Sequence, residues 1–381
     1  MDTIRFGIIG CGLMAREFAG ATARWSQFTD TSIPRPEIVA VCSRSEKSRA
    51  WFTDRFPSVR FSTPDYRELL ARPDIDAVYA AVPHDLHEEV YRACIRSGKA
   101  LLGEKPFGID QAANTAILGE LAAHPGVFVR CSSEFPYYPA VQTMIAWARE
   151  EKFGKLIEVS AAFEHASDLD LTKPVNWKRR IATCGAYGCL GDLGIHTQHV
   201  PFRLGYLPQS VSAIFSNLVP TRPDGHGGVA PCETYENAVL LCTAKDARGD
   251  VFPMRLETKR MSPGATNKWS IAITGLSCAA RYSTDDPGAF YYTQSWGREQ
   301  AWCRVNLGFK PMLPTVTGGI FEFGFCDAMQ QMIAAFCLEY AGREVPFGLF
   351  TPEETRLSHA LCTAALHAYE RQTVEPVSVA G

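Results

Sequence analysis

The chain has 381 residues, 46% of them hydrophobic and 21% charged, and its 38 basic and 41 acidic side chains give a net charge of −3. This length predicts two domains or one large one, and the composition excludes both a disordered chain and a disulfide-stapled miniprotein. The balanced charge offers no basic face to a nucleic acid, and no run of 18 apolar residues predicts a membrane span.

A short strand at the start of the chain leads into a glycine-rich turn and a helix. In chain order the segments are a strand at 6–9, the turn Gly10-Cys11-Gly12-Leu13-Met14-Ala15 and a helix at 16–24. Gly10 permits a tight turn, Gly12 lets backbone amides approach a pyrophosphate, and Ala15 keeps the helix close to the sheet. The alternative is a plain strand–helix turn, but this context favours dinucleotide binding by residues 10–14.

The second predicted strand, Glu37–Cys42, ends at Ser43-Arg44. Many dinucleotide-binding domains place an acidic residue here to hold the ribose, and this chain has none. An arginine can instead grip a 2′-phosphate through bidentate charge-assisted bonds. Ser43 and Arg44 therefore favour NADP. The alternative is that Arg44 stacks on adenine or lies in solvent, which leaves NAD possible.

Strands and helices continue to alternate up to about residue 135. The predicted strands are 77–82, 100–103 and 127–131, and the predicted helices are 87–97 and 110–123. This alternation predicts a doubly wound parallel sheet, a Rossmann domain, over residues 1–135.

Beyond residue 135 the pattern changes to consecutive strands. After a helix at 139–151, strands are predicted at 155–163, 209–217, 237–244, 251–259 and 269–275, with a long loop at 220–231. Strands without intervening helices predict an open, mainly antiparallel sheet, and so a C-terminal α+β domain over residues 136–381. The last helix, about 352–371, starts at the capping box Thr351-Pro352-Glu353-Glu354 and is a candidate to pack back on the first domain.

Thirteen scattered cysteines, none in a CxxC pair, predict buried thiols rather than a disulfide framework or a zinc site. The first residues lack the basic-then-apolar layout of a signal peptide. We therefore expect a cytoplasmic protein.

Two clusters carry side chains suited to catalysis. The first is Glu104-Lys105-Pro106, at the carboxyl end of a predicted parallel strand, where ligands of open α/β sheets bind and where Lys105 can hold a substrate hydroxyl. The second is Asp192 with His196 and His199, which share a face if this segment is helical. Asp192 can orient His196 as a general base that titrates near neutral pH. The alternatives are a solvated loop for Lys105 and a hydrogen-bonded core histidine for His196.

A metal site is a weaker alternative for these side chains. Its ligands would be Asp192, His196 and His199, with His84 and His87 as further candidates, but we expect no metal because hydride chemistry needs none.

Trp177 and the basic run Lys178-Arg179-Arg180 precede the second cluster. Trp177 can pack on sugar C–H surfaces and Arg179 can grip a carboxylate or phosphate; the alternative is a solvated basic turn.

Three motifs in this order resemble those of the glucose–fructose oxidoreductase / inositol dehydrogenase (Gfo/Idh/MocA) family: Gly-x-Gly-x-x-Ala at 10–15, Glu-Lys-Pro at 104–106 and Asp-x-Gly-x-His at 192–196. The segment from Val82-Pro83-His84 to His87 resembles the family's Pro-Asn-x-x-His. The sequence departs from the family pattern at His84, where asparagine is usual, and at His199, where an acid is frequent. It departs again at Glu134-Phe135-Pro136, where the family has Arg-Phe.

The resemblance implies a nicotinamide dinucleotide in the first domain and a second domain whose sheet covers the nicotinamide and often mediates oligomers. It implies that Lys105 contacts the reacting hydroxyl, His196 acts as acid and base, and Asp192 positions the substrate or His196. Glu104 is expected on the nicotinamide side. Further cofactor contacts are expected from Val82, Pro83, His84 and His87, and further substrate contacts from Trp177 and Arg179.

The predicted function is therefore an NADP- or NAD-dependent oxidoreductase that transfers a hydride between nicotinamide and a secondary hydroxyl or keto group of a sugar, glycoside or cyclic polyol. A homodimer or homotetramer is expected, with no nucleic acid or membrane partner. The alternatives are an NAD-dependent glycosidase that uses transient oxidation, a non-catalytic sugar sensor of the same fold, and a metal-dependent hydrolase.

Overall fold

The structure is a computed structural model that describes residues 3–294, 298–307, 310–316, 318 and 320–378. Its strands are β1 (Thr3–Ile9), β2 (Arg35–Cys42), β3 (Phe61–Thr63), β4 (Ala77–Ala80), β5 (Ala100–Gly103), β6 (Val129–Cys131), β7 (Leu156–Glu164), β8 (Leu207–Ser216), β9 (Thr221–Pro223), β10 (Val229–Pro231), β11 (Asn237–Lys245), β12 (Val251–Lys259), β13 (Lys268–Gly275), β14 (Cys278–Ser283), β15 (Ala289–Gln294), β16 (Cys303–Asn306) and β17 (Glu375–Pro376). Its helices are α1 (Leu13–Ala23), α2 (Glu46–Thr53), α3 (Tyr66–Leu70), α4 (His87–Arg96), α5 (Gln111–Ala123), α6 (Pro139–Arg149), α7 (Ile181–Cys184), α8 (Cys189–Arg203), α9 (Phe325–Tyr340) and α10 (Pro352–Arg371).

The chain divides into two compact units. The first combines Met1–Tyr137 with Pro311–Thr355, and the second combines Tyr138–Lys310 with Arg356–Gly381. Helix α10 therefore begins in the first unit and continues in the second.

The first unit is built on a six-stranded parallel sheet with the strand order β3-β2-β1-β4-β5-β6. This is the order of a doubly wound dinucleotide-binding sheet, so the predicted Rossmann fold is confirmed. The order reverses between β1 and β4. The loops after β1, β4, β5 and β6 therefore leave the same carboxyl edge of the sheet, where such folds bind ligands.

Aromatic side chains fill the core of the first unit. Phe18 of α1 stacks on Tyr79 of β4 with 4.5 Å between the ring centroids, and Phe6 of β1 lies 5.2 Å from Phe18. Phe336 of α9 lies 5.8 Å from Phe6. Helix α9 had no counterpart among the predicted elements, yet it packs in the first core.

The second unit contains a nine-stranded sheet with the order β16-β15-β14-β13-β7-β12-β11-β8-β17. Its neighbours are antiparallel except β7 and β12, which run parallel, so the prediction of a mainly antiparallel sheet is confirmed. Side chains of β12 alternate between exposed and buried, as expected for a sheet with one covered face.

One predicted loop is wrong in part. Residues 220–231 contain β9 and β10, which pair as a short antiparallel hairpin with Val229 opposite Pro223. The glycines and prolines that predicted a loop instead form the hairpin's connection and ends.

The predicted capping box is confirmed, because Thr351 Oγ1 accepts the Glu354 N–H at 3.2 Å and Glu354 Oε2 accepts the Thr351 N–H at 2.7 Å.

Eleven of the thirteen cysteine side chains are buried, as predicted for thiols that behave as small hydrophobes. Across the described ranges, no helix combines the length and the apolar character that crossing a membrane requires.

Candidate active site

The turn after β1 has the geometry that its glycines predict. Gly10 has a φ of +93° and donates its N–H to the Cys42 carbonyl at 2.8 Å. A Cβ atom on Gly10 would lie 2.2 Å from the Ala81 carbonyl oxygen, so this close approach of β1 and β4 requires glycine. Gly12 is the N-cap of α1, and a Cβ atom there would meet nothing within 4 Å.

The first turn of α1 contains no acidic residue, and no side chain in the described part of the chain caps it. Its N–H groups and the positive end of the helix dipole can therefore serve an anion. At this turn Leu13 is exposed, Met14 is half-buried and Cys11 is buried. Burial raises the pKa of the Cys11 thiol to about 12, so that thiol stays neutral.

The end of β2 presents the predicted pair Ser43 and Arg44. Ser43 is half-buried and Arg44 is exposed. Arg49 donates from Nη1 to the Ser43 carbonyl and from Nε to Ser62 Oγ at 3.2 Å, which holds the turn in place. The exposed Arg44 thus follows the end of β2, the position at which many dinucleotide-binding domains carry an acidic residue.

His87 joins the loops that follow β4 and β5. The Gly108 N–H donates to His87 Nδ1 at 3.3 Å, which places the ring proton on Nε2, and Nε2 donates to the Val82 carbonyl at 3.1 Å. The imidazole is fully buried and stacks on Tyr91 at 4.6 Å. His84 is buried 5.4 Å away. His87 therefore supports the segment around Val82 and Pro83 through its backbone contacts.

Glu104-Lys105-Pro106 follows β5 at the carboxyl edge. Glu104 Oε1 accepts from the Tyr79 hydroxyl at 2.6 Å, and the Glu104 carbonyl accepts from the Tyr91 hydroxyl at 2.8 Å. Burial, followed by the charge of Glu104, raises the pKa of Tyr79 well above its usual value. Lys105 is half-buried, and the Lys105–Pro106 peptide bond is cis.

Glu134 lies at the same edge, three residues beyond β6, and sequence reasoning had not placed it in the site. Cys131 is the register partner of Gly103, and the Ser132 N–H donates to the Gly103 carbonyl at 2.9 Å. Glu134 is buried. Burial, followed by the charge of Glu104, raises the pKa of the Glu134 carboxyl to about 8, although the charge of Lys105 opposes this. The available signal was the glutamate that stands where the resembling family has arginine.

The second cluster lies on α8 in the second unit, so the condition under which Asp192, His196 and His199 share a face is met. Every residue of α8 from Cys189 to Phe202 is buried. The imidazole of His196 meets Phe163 edge-on at 5.1 Å, and the His196 carbonyl accepts from Trp269 Nε1 at 2.8 Å. His199 is fully buried one helical turn further along. These contacts hold α8 against the sheet.

Asp192 is held between two cations. Its Oδ2 accepts from Lys178 Nζ at 2.8 Å and from Arg260 Nη2 at 3.0 Å. Asp192 and Arg260 are buried, whereas the Lys178 side chain is 39% exposed. Burial is the largest single effect and lowers the pKa of Arg260, but the charge of Asp192 together with the effects of Cys184 and Cys189 raises it above its usual value, so the guanidinium remains protonated. Sequence reasoning missed Arg260, because no local pattern links positions 68 residues apart.

Trp177 and Arg179 belong to one 3₁₀ turn, in which Asn176 Oδ1 accepts the Lys178 N–H at 2.9 Å. Trp177 is half-buried. Arg179 is buried and forms an ion pair with Asp168, so the alternative of a solvated basic turn is wrong for this residue. Burial, together with the charge of Arg260, lowers the pKa of Arg179 to about 10.

The structure thus presents two groups of predicted site residues. The first unit brings the glycine turn, the Val82–His84 segment and Glu104-Lys105 to one sheet edge, where Glu134 joins them. The second unit brings Asp192, His196 and His199 together on α8 near the Trp177 turn. Within the described residues, no group of three or more His, Cys, Asp or Glu side chains is arranged to hold a metal ion.

The first group fits a dinucleotide. Gly12 leaves open space at the turn, which a side chain would fill. The first turn of α1 carries no carboxylate that would repel a pyrophosphate. Exposed Arg44 adds a positive charge at the end of β2.

Comparisons with known proteins agree with this geometry. Residues 4–132 match the family described as "Oxidoreductase family, NAD-binding Rossmann fold". Levoglucosan dehydrogenase of Pseudarthrobacter phenanthrenivorans is 25% identical over 262 residues, which cover 69% of this chain and 64% of that protein. Trans-1,2-dihydrobenzene-1,2-diol dehydrogenase of Sus scrofa is 28% identical over 215 residues, which cover 55% and 59% respectively. The chain thus matches about three-fifths of the length of these relatives.

The fold of the whole chain is also found in a solved structure. Levoglucosan dehydrogenase in complex with NADH and levoglucosan superposes with a TM-score of 0.86 at 19% sequence identity, covering 98% of this chain and 99% of that one. The match of residues 4–132 to that oxidoreductase family agrees with the resemblance of the motifs to the Gfo/Idh/MocA family, and the likeness to the solved structure shows the fold of the whole chain.

Proposed function

We propose that the protein is an NAD(P)-dependent dehydrogenase that acts on a secondary hydroxyl group of a sugar, glycoside or cyclic polyol. The observation that carries this proposal is the carboxyl edge of the first sheet, where an uncapped glycine turn follows β1 and the half-buried Lys105 follows β5, with β4 between these two strands. The relatives support the substrate class, since they are named dehydrogenases of levoglucosan and of a dihydrobenzene diol.

The chain's own residues take the following roles. The Gly10–Gly12 turn and the N–H groups of α1 bind the pyrophosphate. Lys105 donates a hydrogen bond to the reacting hydroxyl and stabilises negative charge that develops on its oxygen. His196 accepts the hydroxyl proton in oxidation and returns it in reduction. A bound nicotinamide dinucleotide supplies the hydride acceptor or donor.

Asp192 acts as a positioning residue. Its carboxylate already binds Lys178 and Arg260, which fixes both it and the Trp177 turn relative to α8. Lys178 is the partly exposed cation of this group, so we assign to it and Trp177 the contacts with substrate that sequence reasoning had given to Trp177 and Arg179.

We further propose that NADP is the preferred cofactor, and that Arg44 is the reason. An exposed arginine with a serine before it can bind a 2′-phosphate, and a charge-assisted bond of this kind contributes about 1.5–3 kcal/mol. Arg44→Ala should therefore lower kcat/KM for NADP by roughly 10- to 100-fold and leave the value for NAD nearly unchanged. An equal loss with both cofactors would remove Arg44 from this role.

The test of the activity is the near-ultraviolet absorbance of reduced nicotinamide. The protein is mixed with NADP or NAD and a panel of free sugars, glycosides, inositols and sugar acids. We expect reduction with one substrate class, and we expect Lys105→Met to lower turnover at least ~100-fold with cofactor affinity retained. The matched control is Lys155→Met, which removes an exposed lysine of the second unit.

Near-normal turnover of Lys105→Met would contradict the role of Lys105. Cofactor binding without net reduction across the panel would contradict the dehydrogenase proposal and favour an NAD-dependent glycosidase, which a glycoside-cleavage assay then tests.

A homodimer or homotetramer in the cytoplasm completes the proposal. Ile214 on β8 and Leu241 on β11 are more than half exposed on adjacent strands, which favours association through the second sheet. Light scattering on the purified protein should give two or four times the chain mass of 42.0 kDa, and a monomer would contradict it.

A further inference from the structure

One carboxylate oxygen of Asp192 accepts hydrogen bonds from two cations that differ in exposure. Lys178 Nζ donates to Asp192 Oδ2 at 2.8 Å, and Arg260 Nη2 donates to the same atom at 3.0 Å. The side chains of Asp192 and Arg260 are each 2% exposed, whereas that of Lys178 is 39% exposed. One cation is therefore enclosed together with the carboxylate, and the other can meet a molecule from solution.

The enclosed cation, Arg260, is fixed through both its backbone and its side chain. The Arg260 N–H donates to the Glu236 carbonyl at 2.9 Å, and the Arg260 carbonyl accepts the Asp168 N–H at 3.3 Å. Its Nη1 also donates to the Lys178 carbonyl at 3.3 Å. A guanidinium carries five N–H donors in a rigid fork, so Arg260 holds the Asp192 carboxylate and the backbone of Lys178 at the same time.

The backbone of Lys178 is held independently of its ammonium group. The Lys178 carbonyl accepts from Thr234 Oγ1 at 2.8 Å, and the Lys178 N–H donates to Asn176 Oδ1 at 2.9 Å. The ammonium lies at the end of a flexible four-carbon stem, so it can turn while this backbone stays in place. It lies 5.6 Å from the centre of the Trp177 ring. Such a pair suits a sugar, whose C–H surface packs on the ring and whose hydroxyl oxygens accept N–H bonds.

The departure of Lys178 from Asp192 is tolerable because Arg260 remains. A buried carboxylate that has lost its cation is strongly disfavoured. With Arg260 in place, the Asp192 carboxylate keeps a charge-assisted hydrogen bond when the ammonium turns to another acceptor. The opposite exchange is not available, since the Arg260 side chain is enclosed.

We propose that Lys178 is an exchangeable substrate-binding residue and that Arg260 is the positioning residue that makes the exchange possible. Arg260 neutralises Asp192, so the Lys178 ammonium moves from the Asp192 carboxylate to a hydroxyl oxygen of the substrate. The exchange replaces one hydrogen bond by another and transfers no proton. That Lys178 can leave Asp192 concerns this chain alone, whereas the contact with a sugar or polyol rests on the proposed function.

The exchange is tested first by urea unfolding of the protein alone, followed by circular dichroism. Lys178→Met should unfold at the same urea concentration as Lys155→Met, which removes an exposed lysine of the same unit, because Asp192 keeps Arg260 as its cation. A lower unfolding midpoint for Lys178→Met than for Lys155→Met would overturn the proposal, since Lys178 would then be a structural counter-ion. This comparison does not depend on whether any variant of Arg260 folds.

The contact with substrate is tested by steady-state kinetics with the sugar or polyol that the activity panel identifies. Lys178→Met should raise KM roughly 10- to 100-fold, the value of one charge-assisted hydrogen bond, and leave kcat within about twofold of the wild type. Arg260→Met should raise KM in the same way, and Arg260→Lys, which keeps a positive charge beside Asp192, should restore most of it. The control Arg255→Met, an exposed arginine of β12, should change neither constant.

The split between KM and kcat separates positioning from a merely structural role. A structural loss reduces the amount of folded enzyme, so it lowers the apparent kcat and leaves KM unchanged. An unchanged KM in Lys178→Met would overturn the substrate contact, and a fall in kcat alone in Arg260→Met would overturn the positioning role. A wild-type protein without turnover across the panel would instead contradict the proposed function, whereas the unfolding comparison would still decide whether Lys178 is exchangeable.

Discussion

The substitution Glu134→Gln should stabilise the protein, and more so as the pH rises. In the folded protein the pKa of Glu134 is about 8, against a usual value of 4.5, because burial and the charge of Glu104 oppose ionisation. The unfolded chain ionises from about pH 4.5 upward while the folded chain stays protonated. The folded state therefore binds more protons in this range, and stability falls as the pH rises towards 8. Glutamine has nearly the same shape and no proton to lose.

The free energy of unfolding of the wild type falls by about 1.4 kcal/mol for each pH unit in which Glu134 ionises only in the unfolded chain. At pH 5 the difference in unfolding free energy between variant and wild type should be slightly below about 1 kcal/mol, and at pH 7 it should reach about 3 kcal/mol. Urea unfolding followed by circular dichroism at the two pH values measures this change, with Glu344→Gln as the control that should show none. The reasoning would be refuted if the difference in unfolding free energy between variant and wild type were the same at pH 5 and at pH 7.

Three further substitutions test other parts of the structure. Gly10→Ala should lower the unfolding free energy by more than about 2 kcal/mol and abolish cofactor binding, because its Cβ atom would lie 2.2 Å from the Ala81 carbonyl oxygen. The control is Gly20→Ala, where a Cβ atom meets nothing within 4 Å, and this variant should unfold no more easily than the wild type. Arg260→Met should cost about 3–5 kcal/mol in urea unfolding, because it removes one partner of a buried ion pair, and the reasoning fails if the loss matches that of the exposed Arg255→Met. Thr351→Ala should lower the melting temperature by the equivalent of about 1 kcal/mol through loss of the capping box, whereas Thr351→Ser should retain most of it; equal losses in both would contradict a capping role.

The local patterns of the sequence predicted those parts of the fold that depend on neighbouring residues. The glycine turn and the capping box follow from spacings of a few residues, and the structure has both. The ion pair between Asp192 and Arg260 depends instead on which strand lies beneath α8, a matter of tertiary packing that no local pattern contains. The parallel contact between β7 and β12 escaped prediction for the same reason, since consecutive strands suggested only antiparallel pairs.

The site shows the same division. Lys105, Asp192 and His196 stood out because their residue types and short motifs carry chemistry. Glu134 did not, since its carboxyl acquires an unusual character only from burial beside Glu104, which the sequence does not display. The burial of Arg179 could likewise not be distinguished from exposure in a run of three basic residues.

The discontinuous first unit constrains how the chain is made. Phe336 packs near Phe6, the Phe350 carbonyl accepts the Cys131 N–H at 2.9 Å, and Asn114 Nδ2 donates to Thr355 Oγ1 at 3.0 Å. During synthesis, the first 137 residues must therefore wait for more than half of the chain before their core can close. In this interval the parallel strands expose apolar edges, so the nascent protein reaches its fold only if aggregation is slow or chaperones protect it. A fragment that ends near residue 135 should therefore fold poorly on its own.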